Sequence, residues 1–80
     1  MRFIETIPHP DLSIGLYGWN EKYIVKFEAF NLEQIYKVKE MDVTGVADVK
    51  AMINPAFIEK VMRTFEQMHQ QWHEELEKVS

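Results

Sequence analysis

Near residue 42 the apolar residues of this 80-residue chain change their spacing from every second position to every third or fourth. Alternation sends successive side chains to opposite faces of a strand, whereas three- and four-residue spacing gathers them on one side of a helix. A chain that carries the first pattern and then the second, once each, has no strands left to interleave with helices. It builds a sheet from its first half and lays helices on it. The expected class is therefore α+β in two layers, a single domain over 1–80 with a β-meander in 1–41 and a helical part in 42–80.

Four strands are expected in the first half. Arg2 to Ile7 is stopped by Pro8-His9-Pro10, because proline donates nothing to a ladder and constrains the residue before it. Leu12 to Tyr17 alternates, Gly18-Trp19-Asn20-Glu21 reads as a tight reversal with Asn20 the residue most tolerant of positive φ, and Lys22 to Ala29 follows. After a short connection around Asn31, the fourth strand is expected over Gln34 to Glu40. Short connections join neighbours antiparallel, so the economical topology is a meander. Its core side carries Leu12, Ile14, Leu16, Tyr23, Val25, Phe27, Tyr36 and Val38.

In the second half Thr44 or Asp42 can cap a short helix over Val46 to Ile53 that buries Val46, Val49, Met52 and Ile53. Asn54-Pro55 restarts the chain as N-cap and first helical residue, where a missing N–H costs nothing. From there Phe57, Ile58, Val61, Met62, Phe65, Met68, Trp72, Leu76 and Val79 form one apolar stripe. Glu74, Glu75 and Glu77 near its end oppose the helix dipole, so the last turns are expected to fray.

One helical layer covers one side of a four-stranded sheet and leaves the other uncovered. Alternation places Tyr17, Ile24, Lys26, Ile35, Lys37 and Lys39 on that outward side, with Glu28 among them and Ile4 too if the first strand has the matching register. Isoleucines set among lysines and an aromatic ring resemble the centre and rim of a contact surface. The leading expectation is a non-enzymatic interaction module whose partner is a second copy of the chain, a homodimer through the outward sheet face or its edge. The alternative is that Lys26, Lys37 and Lys39 hold an anion or single-stranded nucleic acid. A formal charge of −4 makes nucleic acid the less expected partner, because phosphate affinity needs an excess of cations. Trp19 either folds back onto the core, the commoner outcome, or offers an anchor to a partner.

His69 and His73 stand four residues apart, one helical turn, with Glu66 three residues earlier. That spacing permits two imidazoles to face one metal, but zinc takes three or four protein ligands and both rings fall at the edge of the apolar stripe. No metal and no cofactor is expected. There is no cysteine for a thiolate site or a disulfide, no Gly-rich phosphate loop and no Gly-x-Ser-x-Gly elbow, so an enzyme is not expected either. The opening MRFIETIPHP lacks the apolar core of a signal peptide, and no apolar run approaches the ~20 residues of a membrane span. A cytoplasmic protein without membrane contact is the expectation.

The segments IPHPDLSI, YGWNEKYIVKFE and EQIYKVKEMDV, followed by a long helix with FEQMH, resemble a group of short conserved bacterial proteins of unassigned function. That resemblance implies a self-contained bacterial domain and assigns no role to any residue.

Overall fold

A computed structural model describes all residues from Met1 to Ser80. Strands β1 (Arg2–Ile7), β2 (Ser13–Trp19), β3 (Lys22–Ala29) and β4 (Leu32–Lys39) are followed by a 3₁₀ turn (Glu40–Asp42) and helices α1 (Val46–Met52) and α2 (Pro55–Val79). The sheet is antiparallel in the order β1-β2-β3-β4, the meander that short connections dictate.

Two tight turns set the register. Asn20 and Glu21 join β2 to β3, and Phe30 and Asn31 join β3 to β4, all four at positive φ between 52° and 62°. A two-residue loop with both members left-handed matches the twist of the strands it joins. The second loop places Phe30, a bulky side chain, where glycine or asparagine is usual. Its ring lies 6.4 Å from Phe65 and 5.7 Å from His69, contacts that hold it there. Because the turns take only two residues each, β2 extends through Trp19 and β4 begins at Leu32, both beyond the expected bounds, while β2 starts at Ser13 and leaves Leu12 just outside.

The inner face is the expected one. Leu12, Ile14, Leu16, Val25 and Phe27 form a buried cluster with Val49 of α1 and Val61 and Phe65 of α2. Fully burying each such side chain contributes roughly 1.5–3 kcal/mol. Phe27, Tyr36 and Phe57 meet edge to face, with ring centroids 5.2 to 5.9 Å apart. Sequence reasoning overlooked Gln34, which alternation also turns inward. It is buried beneath α2, its Nε2 donates to the Val61 carbonyl at 2.9 Å, and its Oε1 accepts from the Tyr36 hydroxyl at 2.6 Å.

Three local expectations are corrected. Ile4 is not on the outward face: β1 carries a bulge between Phe3 and Glu5, and Ile4 packs against the core. The extra residue of a bulge shifts the alternation by one. The cap of α1 is Gly45, whose φ of 157° few residues but glycine adopt, and not Thr44 or Asp42. Thr44 instead donates its N–H and hydroxyl to Asp48 at 2.8 and 2.7 Å. In α1 only Val49 is buried and Met52 stays exposed.

Helix α2 begins as expected, with Pro55 in the first turn and the Asn54 side chain accepting from the Phe57 N–H at 2.9 Å. Its far end differs from expectation in two ways. It stays helical to Val79, where Lys78 bonds Glu75 at 2.8 Å and sits favourably at the negative end of the dipole. Its apolar stripe also outruns the sheet. At 1.5 Å per residue α2 is about 37 Å long, against roughly 26 Å for an eight-residue strand. Trp72, Leu76 and Val79 therefore leave the two-layer body and are exposed.

Candidate functional site

The outward face of the sheet is built of four cross-strand rows. Ser13, Glu28 and Glu33 form the row at one end. Next come Thr6, Gly15, Lys26 and Ile35, then Phe3, Tyr17, Ile24 and Lys37. Trp19, Lys22 and Lys39 close the other end. Neither helix lies here, because the buried side chains of α1 and α2 all join the cluster on the opposite face.

Ile24 is placed outward as expected, yet it is only 3% exposed. Tyr17 and Lys37 stand beside it on the neighbouring strands and Lys22 and Lys26 flank it along its own, and at this exposure it is not a bare isoleucine. Ile35 is 52% exposed and Phe3, which sequence reasoning passed over, is 57% exposed. Tyr17 lies down on the sheet: a Cβ on Gly15 would come 2.8 Å from its ring, so the missing side chain makes the resting place. Phe3 meets the Tyr17 ring edge-on at 5.5 Å. Trp19 lies at the end of β2 on this face, 55% exposed, and does not fold back onto the core. The signal that finds both residues is strand parity, once β1 is known to be bulged and β2 to reach Trp19.

The lysines are not equivalent. Lys26 Nζ sits 3.3 Å from Glu28 and 5.7 Å from the Tyr17 ring centroid. The hydrogen bond and charge of Glu28, helped by Glu33 and Tyr17, raise its pKa above the usual lysine value. Lys22, Lys37, Lys39 and Glu33 enter no ion pair within the chain. Charge thus grades along the strands, from two glutamates at one end to three lysines over the other half.

His69 and His73 stack with ring centroids 5.8 Å apart. His69 also packs on Phe30, and His73 Nε2 meets Glu77 at 2.8 Å. Glu66 does not join them, and no group of three His, Asp or Glu side chains suited to a metal forms anywhere in the chain. An apolar hollow of about 220 Å³ opens between β4 and the two helices, lined by Tyr36, Val38, Val49, Met52, Ile53 and Phe57 with Lys37 on its rim. Its walls bring no acid–base pair or nucleophile together.

Fold and site together define an α+β two-layer domain with one helix-covered and one open sheet face. No helix is long and apolar enough to cross a membrane. No family model, curated protein or solved structure matches the chain.

Proposed function

We propose that this protein is a small non-enzymatic contact module that pairs with a second copy of itself through the open face of the sheet. One observation carries the reading: an uncovered face on which Phe3, Tyr17, Trp19 and Ile35 stand together around the packed Ile24. Aromatic side chains inside a polar rim are the composition of interfaces, and covering a sheet face removes more apolar area from water than covering scattered side chains. A chain of this size also gains from association, since a domain of ~60–80 residues buries a modest share of its own surface. A cytosolic setting suits a chain without cysteine.

Light scattering coupled to size-exclusion chromatography, from low micromolar to millimolar protein, tests the reading. A mass that climbs from one chain to two supports it; a mass of one chain throughout overturns it.

A second reading has its own support. Lys22, Lys26, Lys37 and Lys39 share the face with three partly exposed rings, the combination on which single-stranded nucleic acid stacks. Glu28 and Glu33 oppose it at one end. Titration with short single-stranded DNA and RNA separates the two, since phosphate binding needs the oligonucleotide and collapses steeply with salt, whereas pairing proceeds without it.

A further inference from the structure

Resting on the pairing just proposed, the charge gradient along the strands points to how the two copies meet: we infer that they pack face to face about a two-fold axis lying across the strands. A closed pair of identical chains is isologous, so the same patch must complement itself. Two stacked sheets with nearly aligned strands offer two such axes. If the axis ran along the strands, each row would lie over its own copy with the strand order reversed, the basic end of one face against the basic end of the other and the acidic end against the acidic end. With the axis across the strands, each strand lies over its own copy in reverse.

Reversal sets the basic end of one face on the acidic end of the other. Lys39 of β4 then stands over Glu33 of the partner subunit, and Lys22 of β3 over Glu28 of the partner subunit, each contact occurring twice by symmetry. Between them Lys37 and Ile35 exchange places, so the exposed Ile35 meets a lysine stem, while Lys26 comes to lie over the already buried Ile24. Lys37 sits on the edge strand β4, from which its ammonium group reaches water, and Lys26 keeps its own Glu28. Glu33 and Lys39 enter no ion pair within the chain, and both are exposed.

Charge reversal at this pair tests the orientation. Lys39→Glu alone sets glutamate over glutamate twice, and Glu33→Lys alone sets lysine over lysine twice. Each variant should pair at least about ten-fold more weakly than the unaltered protein. Mixed in equal amounts, they should recover pairing as a heterodimer, because the introduced glutamate of one variant then meets the introduced lysine of the other, and the native Glu33 and Lys39 that remain meet each other. Sedimentation velocity on each variant and on the mixture reads the outcome, with circular dichroism verifying that both fold. Weakened single variants restored on mixing support the two-fold axis across the strands. Unaltered protein that pairs while the variants pair equally well, or stay apart when mixed, overturns this orientation and leaves the proposed pairing standing. Unaltered protein that never pairs overturns both.

Discussion

Asp48 shows how one carboxylate can hold a helix start that lacks a capping side chain. Gly45 supplies the backbone turn and nothing more, so Asp48, in the first turn of α1, reaches back to the Thr44 N–H and hydroxyl. Those two hydrogen bonds, the backbone one foremost, hold its pKa below the ordinary aspartate value. The folded chain therefore takes up this proton at lower pH than the unfolded chain. The stabilisation is complete above the unfolded value of roughly 3.9 and is lost as pH falls through the depressed folded value. Asp48→Asn should accordingly melt below the unaltered protein at neutral pH, and the gap should close as pH drops below about 4. Thermal melts between pH 7 and the acid limit check this; a gap constant with pH would rule it out. None of this is legible in the sequence, where Thr44 and Asp42 have the side chains of caps, because a cap is chosen by backbone φ and only Gly45 accepts 157°. Gln34 escapes for a different reason: alternation gives its side, but only the height of α2 above β4 shows that the Val61 carbonyl waits there.

Among the elements, α2 divides at Met68 into a half that makes the fold and a half that projects from it. The continuous stripe from Phe57 to Val79 predicts one helix but not how much of it the sheet can cover, since periodicity reports a face and says nothing of the length of the neighbour. Phe65 is fully buried and Trp72 is 65% exposed, though both lie on that stripe. Phe65→Ala should destabilise by about 3–5 kcal/mol through the cavity it leaves, a fall in melting temperature of many degrees in so small a domain. Trp72→Ala should change stability by less than about 0.5 kcal/mol. Chemical denaturation of the two variants at low protein concentration checks the contrast, and a large loss at Trp72 would mean that the projecting turns are covered. The facing of β2, β3 and β4 is legible in the sequence, because two-residue turns transmit register directly from β2 to β4. Only β1 breaks its alternation, at a bulge that no residue of RFIETI announces.

At the scale of the molecule the two layers are unequal, a sheet with one face open and a rod that overshoots it, spread over 47 × 26 × 19 Å. The open face is foreseeable from counting layers, whereas its composition depends on parity at Phe3 and Trp19, which one bulge and one short turn decide, and on the burial of Ile24, which parity does not report. The acidic turns around Glu74, Glu75 and Glu77 lie on the far layer from Lys22, Lys37 and Lys39, so a net charge of −4 conceals a basic face. The two tryptophans stand at opposite ends of this arrangement, Trp19 on the open face and Trp72 on the projecting rod, both largely in water. Folding should therefore barely alter the colour of their fluorescence, and a melt followed that way would look deceptively flat. The same arrangement makes Trp19 a built-in optical gauge. With Trp72→Phe silencing the other indole, an emission maximum that moves to shorter wavelength as protein is concentrated would report the open face going dry, and one that stays put would show it still wet.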